Sequence, residues 1–368
     1  MASGTYQPGD RIAGRYEVGE VHRGGMGLVY VVREHRDGHP PRTLALKTLR
    51  EEFLRDRDRS QRFATECHLW VRLGAHPNLV RALALEEIDG RPFVVLEYID
   101  GGDLTHWIGT PRLDLRRALG FGIQFCLGME QALRAGLACH RDIKPANLLI
   151  GRDGTLRIAD FGLVRLRDEF RAAGIEPSRP IPLADSEGAP EPIVWTDPDD
   201  QRDDGPSGPV IHPDATTLEA PDPFATNDYR PDADRTPSSR LTNTGWLLGT
   251  LPYMAPEQFG DASRVDVRAD IYAFGVVLFE MLAAQRPFRG KSAAMLRRQH
   301  ERYAPPSLQP FIPRRHRGRA HDIDAVVQRC LRKNPDERFH STAAFRDALS
   351  RILKRLDQPS WWPFWPSG

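Results

Sequence analysis

The sequence predicts an α+β chain of two lobes, a small antiparallel sheet with one main helix followed by a larger helical lobe. Three observations predict it. Segments rich in aliphatic and β-branched residues crowd before residue 98, apolar residues recur at helical spacing after residue 102, and 96–102 reads as an extended connector ending in Gly101 and Gly102. A chain of 368 residues is long for one compact unit and sufficient for two lobes sharing a cleft.

Residues 1–10 read as a tail and 11–98 as the small lobe. Within it, 29–33, 44–49 and 92–97 are bounded by glycine, proline or charge, as antiparallel strands are. Phe63, Cys67, Trp70 and Leu73 recur at helical spacing, which predicts an amphipathic helix over 57–73. The large lobe covers 99–356. Leu115, Leu119, Ile123 and Cys126 mark one of its helices, and Ile271, Phe274, Leu278 and Met281 another. Segment 176–236 stands apart: it is rich in proline and holds 15 acidic against 4 basic residues. It cannot bury enough apolar surface to offset its ordering entropy, so disorder is expected there. Residues 357–368 form a tryptophan-rich tail.

Composition excludes more than it assigns. With 51 basic and 50 acidic residues, the net charge of +1 gives no global field for nucleic acid or a membrane. The four cysteines show no CxxC pair and no metal-ligand spacing, which points to buried thiols in a reducing compartment. No secretory signal opens the sequence, and the longest apolar stretch, 274–284, is too short for a bilayer span and contains Glu280. A cytoplasmic protein with no integral membrane segment is expected.

The run His140, Arg141, Asp142, Ile143, Lys144, Pro145, Ala146, Asn147 carries the chemistry, with Asp160, Phe161 and Gly162 following, the two aspartates 18 residues apart. A carboxylate that can orient and deprotonate a hydroxyl, an amide oxygen and a second carboxylate for cations make up a phosphoryl-transfer site. Strand-like 148–150 and 156–159 lie between the two motifs. Together these resemble the eukaryotic-type (Hanks-type) serine/threonine protein kinase family in its bacterial form. The resemblance covers roughly 11–356 and implies the bilobal protein-kinase fold.

It also implies roles. Val21 to Tyr30 is similar to the family's glycine-rich loop, with Gly24 and Gly27 as its second and third glycines and His22 where the first would stand. Lys47 would pair with the ATP phosphates and be held by Glu66, 19 residues on. Val29, Ala45 and Leu149 would sandwich the adenine ring, Leu96 would be the gatekeeper, backbone groups of Glu97 and Ile99 would read the adenine edge, and Asp103 would accept from the ribose. Asp142 is the implied catalytic base, Lys144 the neutraliser of the moving phosphoryl group, and Asn147 and Asp160 the ligands of magnesium, with manganese as a substitute. His140 and Phe161 would stack with Trp70 and Ala82 as a structural spine.

Arg141, Arg62 and Arg165 resemble the family's phosphate pocket, and Thr242 and Thr244, eight and six residues before Thr250, resemble its autophosphorylated switch sites. Thr250 resembles the threonine of the substrate-facing loop in the serine/threonine branch of the family. Glu257 with Arg338, and Asp270 with the catalytic-loop backbone, are implied scaffolding contacts. Protein substrates and ATP are the implied partners, together with a homodimer through the small lobe. Other readings stay open: a pseudokinase assembling partners through the insert or tail, and a small-molecule phosphotransferase of related fold. The insert reads either as a tolerated loop or as a docking or autoinhibitory element. For the tail, packing on the chain's own surface comes before a membrane interface or a partner, since no basic cluster is evident beside it.

Overall fold

The computed structural model describes residues 5–24, 27–54, 63, 67–161, 165–166, 247–260 and 265–356. Segment 176–236, the tail and most of the helix expected over 57–73 therefore lie outside the described residues.

The small lobe is a six-stranded antiparallel sheet of β1 Arg11–Ile12, β2 Tyr16–Arg23, β3 Gly27–Glu34, β4 Arg42–Leu49, β5 Ala82–Ile88 and β6 Arg91–Glu97, in the order β1-β2-β3-β4-β6-β5. Strands β3, β4 and β6 coincide with the expected ones. The sequence hides β2 and β5 for physical reasons. β2 carries charges and a glycine, β5 consists largely of alanine, leucine and glutamate, which favour helix, and both contain a register shift that breaks strict alternation.

Period-two alternation sorts the sheet's two faces. Leu28, Tyr30, Val32, Leu44, Leu46, Phe93 and Val95 pack into one core with Tyr16 and Val18. Val29 and Ala45, on the other face, stay half-buried, with Lys47 on the same side and Val94 and Leu96 turned to the main core. That second face forms one wall of the cleft. After β4 comes the short helix α1, Glu51–Leu54, and residues 67–72 are helical, with Cys67, Trp70 and Leu73 buried as expected.

The large lobe is built on α2 Leu115–Arg134 and, after the one-turn α3 Leu247–Thr250, on α4 Val267–Ala283, α5 Ala293–Arg302, α6 Ala320–Cys330 and α7 Thr342–Leu356. α4 is apolar on nearly every side and lies at the centre, with Phe274 stacked on Phe125 of α2 at 4.1 Å and near Phe345 of α7 at 6.2 Å. Two small ribbons face the cleft: β7 Leu137–Cys139 with β10 Arg165–Leu166, and β8 Leu148–Ile150 with β9 Leu156–Ile158. All four cysteines are buried.

The lobes join through the connector. Ile150 N donates to Gly102 O at 2.9 Å, and a Cβ on Gly101 would run into the Ile150 carbonyl. Glycine is thus required where the connector crosses the ribbon.

Candidate active site

Loop 140–147 is held from below by one buried carboxylate. Asp270, in the first turn of α4, accepts from His140 N and Arg141 N, each at 2.8 Å. Burial pushes its carboxyl up to about 7, while the two N–H donors act against that rise. Arg141 adopts a positive φ of 70°, a conformation costing an L-residue roughly 1–3 kcal/mol that persists only where the surroundings over-determine it. His140 is fully buried, which lowers its pKa. Its Nδ1 faces the Asp142 amide at 3.3 Å and its Nε2 the Ala159 carbonyl at 3.2 Å, so both ring nitrogens are engaged structurally.

The loop gathers donors around Asp142. Lys144 Nζ reaches both carboxylate oxygens, at 3.0 and 2.9 Å. Thr250 Oγ donates to Oδ1 at 2.8 Å, and Asn147 Nδ2 to Oδ2 at 3.0 Å and to the Asp142 carbonyl at 2.8 Å. With its nitrogen turned to Asp142, Asn147 keeps its amide oxygen for another partner. Asp142 is buried and ionic contacts fix its rotamer, so its direction is set before any substrate arrives.

Across the cleft, Lys47 Nζ makes an ion pair with Asp160, another residue with positive φ, here 61°. Burial alone would raise the Asp160 carboxyl, and the Lys47 ammonium outweighs it, leaving the group below its ordinary range and ionised. Glu66, the expected holder of Lys47, lies outside the described residues. The pairing with Asp160 was not anticipated. Phe161 packs edge-on to Trp70 with ring centres 5.4 Å apart and against His140 at 4.8 Å, and Ala82 is buried.

Val29, Ala45, Ile99 and Leu149 are half-buried, and Leu96, the strand partner of Ala45, is buried. Glu97 N donates to Arg81 O at 3.0 Å, so that amide is already used, and the expectation that Glu97 reads a ligand edge narrows to its carbonyl. Asp103 Oδ1 caps a 3-10 turn by accepting from Thr105 N at 2.9 Å and faces His106 Nδ1 at 3.0 Å. In the β2–β3 turn, Gly24 N donates to Gly27 O at 2.9 Å, and His22 is exposed beside Glu20 at 3.2 Å.

A second buried pair anchors the far side. Arg338 makes five bonds from its five N–H groups: two to Glu257, each at 2.7 Å, and three to the carbonyls of Arg332, Arg268 and Lys333. Gln258, which no sequence motif singles out, accepts from Ala255 N at 2.9 Å and donates to Arg141 O at 3.2 Å, tying this segment to the loop. Thr242, Thr244 and Arg62 lie outside the described residues. Arg165 is placed only by its backbone, which pairs with Cys139. Among the described residues, no group of three or more His, Cys, Asp or Glu side chains could hold a metal, and no helix is long and apolar enough to cross a membrane.

The protein kinase domain family matches residues 16–171 and 235–349. A probable serine/threonine-protein kinase of Streptomyces coelicolor is 30% identical over 349 residues, which is 93% of this chain and 40% of the relative. The serine/threonine-protein kinase PknB of Mycobacterium tuberculosis is 29% identical over 355 residues, 93% of this chain and 43% of its own. The chain thus spans about two-fifths of the length of the curated relatives it matches. The crystal structure of the PknI kinase domain from M. tuberculosis shares the fold, with a TM-score of 0.56 at 22% identity, covering 95% of this chain and 99% of that one.

Proposed function

The chain belongs to the protein kinase domain family, and from that premise we propose that it transfers the γ-phosphoryl group of ATP to serine or threonine hydroxyls of proteins. The observation that carries the reading is the set of donors around Asp142. A carboxylate held by Lys144, Thr250 and Asn147 can receive the proton of an incoming hydroxyl in one fixed direction. Lys144, within reach of the same point, offers positive charge to the phosphoryl group in flight. Lys47 presents an ammonium on the opposite wall, where anionic phosphates would meet it. Thr250, on the hydroxyl side of Asp142, favours a serine or threonine acceptor.

Asp160 and the free face of Asn147 supply the oxygen donors that hard divalent cations take, and Asp160 is kept ionised for that task. Magnesium is the ion we infer, with manganese as a substitute. When bound, such an ion neutralises phosphate charge and orients the chain of phosphates. Since ATP is the donor, the reaction belongs in the cytoplasm.

Regulation extends the same reading. Arg141, Arg62 and Arg165 would gather around a phosphate on Thr242 or Thr244, and that dianion would fix the segment leading to Thr250. Mass spectrometry after incubation with ATP and magnesium tests this point: phosphate on Thr242 or Thr244 supports it, and an active protein unmodified at both contradicts it. For the reaction itself, phosphoamino-acid analysis of a labelled protein substrate should give phosphoserine or phosphothreonine. Phosphotyrosine alone would overturn the assignment.

A further inference from the structure

The sequence holds 46 arginines and 5 lysines, so where a fixed positive charge is wanted this chain almost always places a guanidinium. The lysines are therefore informative. Lys47 and Lys144 line the cleft, each against a carboxylate, Asp160 and Asp142. Lys291 and Lys354 are exposed. Lys333, three residues past the end of α6 and outside the cleft, is half-buried and meets neither condition.

Its nitrogen sits among rings. Lys333 Nζ lies 4.3 Å from the ring centre of Phe288 and 5.6 Å from that of Tyr272 on α4. Its two hydrogen bonds are long, 3.4 Å to Tyr272 Oη and 3.4 Å to the Gln299 carbonyl on α5. Among the described residues, no carboxylate pairs with it. The charged neighbour is another cation: the Arg338 guanidinium lies 4.8 Å from the Tyr272 ring centre, and Glu257 is engaged by Arg338 through both oxygens. His300, 2.9 Å from Tyr272 Oη, brings no negative charge either. An amine withdrawn from water beside a guanidinium gives up its proton readily, and burial first, then Arg338, push Lys333 down to about 7. Desolvation and a neighbouring cation are the two conditions that make a lysine a nucleophile. Arginine could not serve here, because a guanidinium stays charged.

The products open to such an amine differ in charge. A carbonyl compound would leave a protonated imine, a cation still without a counter-ion. Carbon dioxide would leave a carbamate anion, and Arg338 has no N–H left to receive it, since all five are engaged by Glu257 and three carbonyls. An amide carries no charge and suits a site walled by rings. We propose that Lys333 is an acylation site, taking the acyl group of an activated donor, an acyl phosphate or an acyl thioester. The nitrogen lone pair attacks the acyl carbon and a C–N bond forms. The C–O or C–S bond breaks, phosphate or thiolate leaves with its electron pair, and the amine's proton passes to water. Acylation removes a positive charge that no described carboxylate balances and ends its repulsion by Arg338.

The test is acetylation of the folded full chain at pH 7 by a limiting amount of acetyl phosphate and, in a parallel arm, of acetyl-coenzyme A. A short lysine peptide shares each tube, and mass spectrometry locates the modified residues. Lys333 should react first among the five lysines and at least about tenfold faster than the peptide, whose amine is unprotonated in only about one part in a few thousand at that pH. Its rate should level off above about pH 8 while the peptide's goes on rising, and in urea the preference should vanish. Acetylation of Lys333 by either donor on these terms supports the proposal, and the donor that reacts identifies the source. Three results overturn it: Lys333 reacting no faster than the peptide, a rate that rises in step with the peptide's up to about pH 10, or no modification from either donor. Lys333→Arg, with its melting temperature as the check on folding, should lose the fast-reacting amine; a fast amine that persists in this variant also overturns the assignment.

Discussion

Asp142 is satisfied by three side chains before any substrate is present, and each arrives from a different degree of sequence separation. Lys144 and Asn147 lie in the same octet, so their convergence is legible from local spacing. Thr250 is 108 residues away, and no periodicity or motif spacing reports its hydrogen bond to Asp142. Thr250→Val should therefore lower kcat by roughly 10 to 100-fold with the KM for ATP little changed, because it frees Asp142 to rotate without touching the nucleotide side. Thr250→Ser should restore most of the rate. The pairing of Lys47 with Asp160 escaped the sequence for the same reason, since it joins two walls of a cleft.

At the scale of elements, a buried ion pair fastens the segment that frames the loop. The Glu257–Arg338 pair is bidentate, and the guanidinium is fully enclosed. Arg338→Leu leaves Glu257 without its partner in a partly desolvated site and should destabilise the fold by about 3–5 kcal/mol. Urea denaturation measures this. α5 adds a pH dependence. His300, fully buried, lies 2.9 Å from Tyr272 Oη and packs on Phe288. Burial, then the charges of Lys333 and Arg286, bring its pKa from 6.5 to about 3, against the opposing Pro252 carbonyl. Between those values the unfolded chain binds a proton that the folded chain refuses, so stability falls as pH drops from about 6.5 toward 3. Melting temperatures of His300→Gln should fall less steeply over that interval than those of the wild type. The helices themselves were legible because α2 and α4 repeat their apolar residues over several turns. β2 and β5 were not, because bulges and helix-forming residues mask the alternation that pairing with neighbouring strands imposes.

Across the whole molecule, the stack of Trp70, Phe161 and His140 joins the small lobe's helical stretch 67–72 to the large lobe, and Gly101 lets the connector pass the β8 ribbon closely. Gly101→Ala must push the connector off Ile150 and should raise the KM for ATP by several-fold, measured by steady-state kinetics. The division into two lobes was visible in the sequence as a change of period at the connector. The central claim is that Asp142, held in this cleft, serves the transfer of phosphate from ATP to protein. The most direct measurement is label transfer from ATP with magnesium to a generic basic protein, by the wild type and by Asp142→Asn in parallel. The account predicts transfer by the wild type and a loss of at least about 100-fold in the variant, whose fold and nucleotide binding persist. Equal transfer by both proteins, or label reaching only a small metabolite, would contradict it.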